Sequence, residues 1–217
     1  GAGNLQINSA SSIGGPQVTT SGLNNAALLL GDAIVVPSSK SITIAGSGAG
    51  GFYGALATAS GNTGTSEWQG PVTIGAPAGT RIGTLGGTLL VSGNIGESAP
   101  GSQLLVRNNE GAGGTTILSG NNTFSGGLQL VVGNLRLAGA NALGTGPLTL
   151  GSGGNVNAFS SDGATPRTIS NPVVFNATTT HTLGDATLNG KLTFTGGAGV
   201  GSANRTLGVA STVEFSS

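Results

Sequence analysis

The stretch TILSGNNTFSGGLQLVVGNLRLAGANALGTGPLTL, residues 116–150, contains almost no side chain that could do chemistry. Apolar and polar residues alternate along it, the alternation breaks at Gly, and it then resumes. A period of two residues predicts short β-strands, and Gly between such segments predicts turns. This stretch therefore indicates a structural role and gives no sign of a chemical reaction.

The composition of the whole chain indicates a folded β protein with few charges. Of its 217 residues 43 are Gly and 6% are charged, with seven Lys plus Arg balancing seven Asp plus Glu. Because the chain has no net charge to attract a polyanion, nucleic acid and anionic lipid are poor partners. The abundance of Val, Ile, Leu and Thr argues against disorder, which accompanies a shortage of such residues.

Eleven segments predict short strands, each bounded by Gly, Asn, Ser or Pro. No stretch of a dozen residues keeps a helical period without Gly, so we expect an all-β protein. Signals for tight hairpins are scarce, which predicts that the strands are not joined as a run of hairpins. The predicted strands are 4–8, 41–45, 71–75, 88–93, 103–107, 128–132, 134–138, 147–151, 172–176, 191–195 and 211–215.

Two pairs of segments resemble each other, which predicts an internal repeat. Residues 60–75 align with residues 119–133, and residues 3–18 align with residues 133–150. On these alignments the chain opens partway through a module of about 130 residues and then starts that module again.

We expect one elongated domain over residues 1–217, built as a parallel β-helix. It would contain about 1.7 copies of the module, with residues 1–132 as the first part and residues 133–217 as the second. Coiling lets a strand-only chain bury one apolar face, with Leu, Ile and Val inside and Thr, Ser and Asn facing solvent. Coils of roughly 20 residues predict about ten coils and a rod on the order of 50 Å long.

Residues 116–137 resemble the autotransporter-associated β-strand repeat, also called the passenger-associated transport repeat. The pattern of that family is Leu-x-Leu-Ser-Gly-x-Asn-Thr-Tyr-x-Gly-Gly-Thr, followed by a short strand and Gly-x-Leu-x-Leu. Here Phe124 replaces the Tyr, Leu128 the last Thr and Thr116 the first Leu. The matching positions are Leu118, Ser119, Gly120, Asn122, Thr123, Gly126, Gly127, Gly133, Leu135 and Leu137.

The resemblance implies a right-handed parallel β-helix, or β-solenoid, in a secreted or surface-exposed passenger of a Gram-negative bacterium. In that family the repeat is associated with export and with folding of the rod outside the cell. We therefore expect a structural or adhesive extracellular rod or filament-forming segment at the cell surface, with no catalysis, cofactor or metal. The partners expected are further copies of the module or chain, joined end to end or laterally, and surface glycans.

The chain begins with Gly and contains no Met, which predicts that it is processed or cut from a longer protein. The longest apolar runs, residues 26–30 and 33–36, are too short to span a membrane as helices, so no transmembrane segment is expected in this chain. Cys is absent, which excludes a disulfide framework and thiolate chemistry.

The residues that could do chemistry are few and scattered. No two acids lie within ten residues of each other, so local sequence offers no carboxylate pair for glycoside cleavage, and we expect the acids at turns. His181 has no second His or Cys to join it in a metal site, and we expect it at a solvent-facing strand position. The acids are Asp32, Glu67, Glu97, Glu110, Asp162, Asp185 and Glu214.

Two glycine-rich segments imitate nucleotide-binding motifs. Residues 46–51, GSGAGG, have the dinucleotide spacing, but Gly residues interrupt the helix that should follow, so we expect a loop between coils. Residues 184–192, GDATLNGKL, have the wrong spacing for a phosphate loop. Trp68 is the best candidate for a sugar-stacking aromatic, although its alignment with Phe124 favours a packing role.

A glycan-binding β-helix, or less favourably a glycan-cleaving one, is the main alternative function. An ice- or crystal-binding solenoid needs regular Thr-x-Thr ranks, and the spacing of Thr here is too irregular. An outer-membrane barrel needs alternating strands of about ten residues and two aromatic girdles, which one Trp and one Tyr cannot make.

Overall fold

The computed structural model describes residues 3–20, 26–49, 54–77, 79–109, 114–153, 157–177, 180–200 and 204–216. The described residues form an all-β protein that includes a turn of 3-10 helix, Ala10–Ser12. Every strand pairing among them is parallel. The predicted β-solenoid is confirmed, because parallel neighbours cannot be joined by hairpins.

The strands lie on three sides of the rod, and those of one side stack on one another from coil to coil, although some coils lack a strand on one side. Side 1 consists, in stacking order, of β1 Gly3–Ile7, β3 Ala26–Leu30, β6 Leu56–Thr58, β9 Thr80–Thr84, β12 Leu104–Asn108, the first half of β14 Leu128–Leu137, β15 Leu148–Gly153, β18 Val173–Ala177 and β21 Ala198–Gly199.

Side 2 begins later in the chain and shares the long strand β14 with side 1. It consists of β4 Val35–Val36, β7 Thr65–Trp68, β10 Thr88–Val91, β13 Thr115–Leu118, the second half of β14, β16 Asn157–Ser161, β19 His181–Leu183 and β22 Leu207–Val209. The two halves of β14 meet at Gly133, whose φ of 90° lets the strand pass from one side to the other.

Side 3 is split into two short sheets. The first contains β2 Gln17–Thr20, β5 Ser41–Ile44, β8 Val72–Ile74 and β11 Ile95–Glu97, and the second contains β17 Arg167–Ile169, β20 Leu192–Phe194 and β23 Val213–Phe215. Between β11 and β17 the described residues place no strand on this side.

All eleven predicted strands are present, with segments 128–132 and 134–138 fused into the single strand β14. The strands that sequence reasoning missed are mostly two to five residues long, and several consist largely of Thr, Gly and Ala, such as β6 and β9. Such strands carry too little alternation to be distinguished from turns by composition.

The expectation of about ten coils is wrong, because the coils are longer than 20 residues on average. Leu28 pairs with Leu56, a spacing of 28 residues, whereas Leu130 pairs with Leu150, a spacing of 20 residues. In the described part of the chain, side 1 stacks nine strands and side 2 stacks eight. At about 4.8 Å per strand, eight layers give a rod of about 40 Å.

The alignments that predicted a module of about 130 residues do not join equivalent positions of the coil. Trp68 lies in β7 on side 2, whereas Phe124 lies between β13 and β14, outside any strand. Asn4 and Asn134, which the second alignment joins, lie on sides 1 and 2 respectively. The unit that repeats in the structure is the single coil.

The interior is built from ladders of aliphatic and aromatic side chains that run along the rod. Its buried residues form one continuous cluster from Ile7 to Phe194. Burial of these side chains is the main favourable term in folding, at about 25 cal/mol per Å². One ladder on side 1 passes through Leu28, Leu56, Ile82, Val106, Leu130, Leu150 and Phe175.

A column of glycines lets successive coils approach closely at the corner that follows side 2. A Cβ on Gly93 would collide with the carbonyl oxygen of Gly70 in the coil below, and one on Gly120 with that of Gly93. A Cβ on Gly139 would meet the carbonyl oxygen of Ser119 in the same way. These positions do not have positive φ, so the requirement for Gly is steric.

We expect Gly93→Ala to lower the free energy of unfolding by about 1–3 kcal/mol, because a backbone carbonyl cannot retreat without disturbing the ladder. Urea unfolding followed by far-UV circular dichroism measures the change. Gly163→Ala is the matched control, since a Cβ at Gly163 has nothing within 4 Å, and it should change stability by less than about 0.5 kcal/mol. Equal losses in the two variants would show that the column is not sterically required.

Candidate functional site

Three of the acids accept hydrogen bonds from backbone N–H groups. Asp32 accepts from the N–H groups of Thr63 at 3.1 Å and Gly64 at 2.9 Å in the next coil. These two bonds hold the pKa of Asp32 below its ordinary value of 3.8, and the bond from Gly64 has the larger effect. This carboxylate therefore joins two neighbouring coils.

Glu97 and Asp185 are held in the same way. Ser125 donates to Glu97 from its N–H at 3.1 Å and from its hydroxyl at 2.7 Å. Burial pushes the pKa of Glu97 up, but these bonds outweigh it and leave the pKa below its ordinary value. The pKa of Asp185 is lowered by the N–H of Leu188 first, with the N–H of Thr187 and the guanidinium of Arg136 adding to it.

The remaining described acids take part in side-chain pairs. Asp162 forms an ion pair of 3.2 Å with Arg167, Glu214 forms one with Lys191, and Glu67 accepts a hydrogen bond from the hydroxyl of Ser92. Asp32 and Asp162 lie in a turn and a bend, as predicted. The prediction is wrong for Glu67, Glu97 and Glu214, which lie in the strands β7, β11 and β23. Glu110 lies outside the described residues.

Within the described ranges, no three His, Cys, Asp or Glu side chains come close enough to hold a metal ion. Of the GSGAGG motif only residues 46–49 are described, and no α-helix follows them in the described chain. Residues 186–188 of the GDATLNGKL segment form a turn.

His181 is buried, so the prediction of a solvent-facing position is wrong. Its side chain is 0% exposed, and its ring lies 5.5 Å from that of Phe175 between centroids. Asn157 occupies the same position in the coil below, and Leu207 in the coil above. His181 lies two residues before the buried Leu183 in the same strand, and residues two apart in a strand face the same side. This spacing could have predicted that His181 points inward.

Trp68 is also fully buried, which confirms the prediction that it packs. It pairs with Val36 in the coil below and Val91 in the coil above. No hydrogen-bond partner among the described residues reaches its Nε1, so its contribution is apolar contact. The aromatic side chain that was the candidate for sugar stacking therefore lies in the interior.

Asn122, one of the residues that carry the family resemblance, ties three coils together where side 3 lacks a strand. Its side chain is 4% exposed. Its Oδ1 accepts from the N–H of Ile95 at 2.8 Å in the coil below, and its Nδ2 donates to the carbonyl of Ala142 at 2.6 Å in the coil above. The amide thus replaces the ladder bonds that a strand would have made.

Two further buried asparagines join coils at the corner between sides 1 and 2. Asn62 donates to the carbonyl of Leu30 at 3.0 Å. Asn108 donates to the carbonyl of Asn134 at 2.8 Å, and its Oδ1 accepts from Thr116 at 2.8 Å and from Thr84 at 3.2 Å. The expectation that Asn and Thr all face solvent is therefore wrong, because these Asn and Thr side chains point inward.

Taken together, the polar groups form a set of coil-to-coil bridges.

Comparisons with protein-family models, with curated proteins and with solved structures gave no significant match. No helix of the described chain is long and apolar enough to cross a membrane.

Asn122→Ala should lower the free energy of unfolding by about 3 kcal/mol, since it leaves the buried N–H of Ile95 and carbonyl of Ala142 without the amide. Asn141→Ala is the control, because Asn141 is exposed and its amide donates to the side chain of Asn121, at 3.3 Å. Urea unfolding of both variants measures the difference. Similar small losses for both would contradict a bridging role for Asn122.

The hydrogen bonds to Asp32 predict a loss of stability in acid. A carboxyl whose pKa is lowered by folding contributes fully above its unfolded value and loses that contribution as pH falls through its folded value. We therefore expect Asp32→Asn to reduce the urea midpoint at neutral pH, and this reduction to shrink below about pH 4. A difference between the two proteins that stays constant from neutral to acid pH would contradict the assignment.

Proposed function

We propose that this chain is a structural and adhesive rod segment of a secreted or surface-exposed bacterial protein, comparable to an autotransporter passenger and without catalysis. The observation that carries the proposal is the use of the polar side chains. Asp32, Glu97, Asn108 and Asn122 each bond to residues of a neighbouring coil. Because these groups bond the coils of the chain to one another, their use supports a mechanical role.

The stacking itself suits a protein that works outside the cell. Each coil pairs its strands with those of its neighbours, so stability is added coil by coil along the rod. The chain contains no Cys whose oxidation could matter and has a formal net charge of zero. The resemblance of residues 116–137 to the passenger repeat supports export to the surface of a Gram-negative bacterium.

Partners of such a rod are further copies of the module or chain, and glycans of a host or neighbouring cell. The glycan-binding alternative loses its best candidate residue, because Trp68 is in the interior. Sugar binding would then depend on the hydroxyl and amide groups of the outer faces. Glycan binding is one of the outcomes that the experiment below distinguishes.

The experiment displays the chain on a Gram-negative host between a signal peptide and an outer-membrane anchor. We expect the tagged chain to reach the surface, to resist added protease, and to increase settling of the cells on abiotic surfaces. Leu130→Asp, which buries a charge in the fully enclosed side 1 ladder, serves as the unfolded control.

Two results would contradict the proposal. The first is a displayed and protease-resistant chain that leaves cell settling and adhesion the same as for the Leu130→Asp control. The second is selective retention of one glycan structure on an array by the purified chain, which would favour the glycan-binding alternative.

A further inference from the structure

His181 is the only histidine of the chain, and the interior of the coils encloses its side chain completely. It lies in β19, between Asn157 of the coil below and Leu207 of the coil above. Its backbone N–H donates to the carbonyl of Thr206 at 3.0 Å, which ties its strand to the next coil. The one side chain whose ordinary titration falls between pH 5 and 8 is therefore held away from water.

The interior around His181 is aromatic. The ring of Phe175, on side 1, lies 5.5 Å from the imidazole between centroids, with an angle of 56° between the two planes. Phe159 and Phe194 lie in the same stretch of the rod, 6.2 Å apart between centroids, and all three phenylalanines are buried. A positive charge on the imidazole would gain some attraction from the ring of Phe175 but would lose its hydration, and the loss is the larger effect.

The strands around His181 carry no charge. The strands β16 and β22, which pair with β19, contain no charged residue, and neither do β18 and β20, which supply Phe175 and Phe194 to the surrounding interior. The sequence also has no charged residue at 154–156, 178–179 or 201–203, the segments between these strands that lie outside the described ranges. An imidazolium formed here would therefore meet no carboxylate on the strands that enclose it.

The charged groups on the neighbouring segments do not favour a charge on His181 either. Arg205 precedes β22 and donates to the carbonyl of Phe175 at 2.9 Å, which fixes a cation to the strand whose ring contacts His181. Four of the seven acids precede β14 in the chain. The other three are each paired with a base, Asp162 with Arg167, Asp185 with Arg136 and Glu214 with Lys191. Protonation would thus add positive charge to a region that offers nothing to offset it.

We propose that His181 is an acid-sensitive switch, whose protonation opens the coils that carry β16, β19 and β22. The imidazole must reach water to hold a proton, and β19 must separate from a neighbouring strand to allow it. Proton uptake and opening are therefore one event, in which a ring nitrogen gains a proton from solvent while the enclosing strands lose their pairing. This inference adds a property to the rod and does not depend on the proposed adhesive function.

Opening becomes easier as pH falls below the value at which a free imidazole takes up a proton. In the open state that value is about 6.5, whereas the closed interior disfavours the charged form. The closed state therefore keeps its full stability above about pH 6.5 and loses stability as pH falls below it. The equilibrium constant for opening should rise about tenfold for each pH unit below about pH 6.

Opening uncovers aromatic surface that is hidden at neutral pH. Phe159, Phe175 and Phe194 are each at most 1% exposed in the closed coils. Once the coils part, these rings become accessible to a hydrophobic dye or to another molecule. Acid thus converts a closed stretch of the rod into one that exposes a contiguous apolar patch, which favours association.

The test compares the full 217-residue chain with His181→Leu by amide hydrogen exchange and mass spectrometry between pH 7.5 and 5.0. Leu occupies the equivalent position in the coil above, so the variant fills the interior without a titratable group. After correction for the intrinsic exchange rate, peptides from β16 and β19 of the wild type should lose protection about tenfold per pH unit below about pH 6. The same peptides of His181→Leu should keep their protection, and so should β3 and β6 of both proteins.

His181→Asn is the matched control for polarity. Asn157 occupies the equivalent position in the coil below, so the interior accommodates an amide there. This variant keeps a buried polar group that takes up no proton, and it should respond to pH as His181→Leu does. The carboxylates whose pKa is lowered by hydrogen bonds, Asp32, Glu97 and Asp185, are present in all three proteins, so their titration cancels in the comparison.

A second measurement needs no variant. Because the chain has one histidine, its ring signals can be observed separately by nuclear magnetic resonance. The signals of the closed protein should remain those of a neutral imidazole down to about pH 5.5, and signals of an imidazolium should appear only with the open form.

Three results would overturn the proposal. The first is a ring that takes up a proton near pH 6.5 while β16 and β19 keep their protection. The second is the same pH dependence of protection in the wild type and in His181→Leu. The third is a loss of protection in acid that is equal in β3, β6 and β19, because it would show that the whole chain unfolds. Failure of surface display and adhesion would count against the rod function alone.

Discussion

The structure depends on one interaction, the parallel pairing of each strand with its equivalents one coil below and one coil above. This pairing satisfies the backbone and at the same time sets side chains of the same type over one another, so that Leu56 meets Leu28 on one side and Ile82 on the other. The corners, the bridging amides and the glycine column all serve to keep this register. A change at a corner therefore affects stability through the ladders that it displaces.

The asparagine bridges show how the solenoid tolerates an incomplete side. Where side 3 has no strand among the described residues, Asn122 bonds to backbone groups in two neighbouring coils. A buried amide is suited to this because it offers both a donor and an acceptor on one planar group. The physical role of Asn122 is thus to hold a coil that lacks its third strand.

Much of the fold could be predicted from the sequence, because alternation and turn residues are local properties. The eleven predicted strands are present, and the scarcity of hairpin signals correctly indicated parallel stacking. The coil length could not be predicted, since spacings that vary between 20 and 28 residues hide the period. The module alignments joined residues such as Trp68 and Phe124, which lie at different places in the coil, and the longer module stays a prediction.

The uneven coil length has a consequence for how such a protein can change. Residues added between strands enlarge a corner while the paired strands on either side keep their partners, as the long step from Leu28 to Leu56 shows beside the short one from Leu130 to Leu150. Corners can therefore acquire or lose segments at little cost to the stack. Variation in the corner segments is in this way separated from selection on the paired strands that hold the rod together.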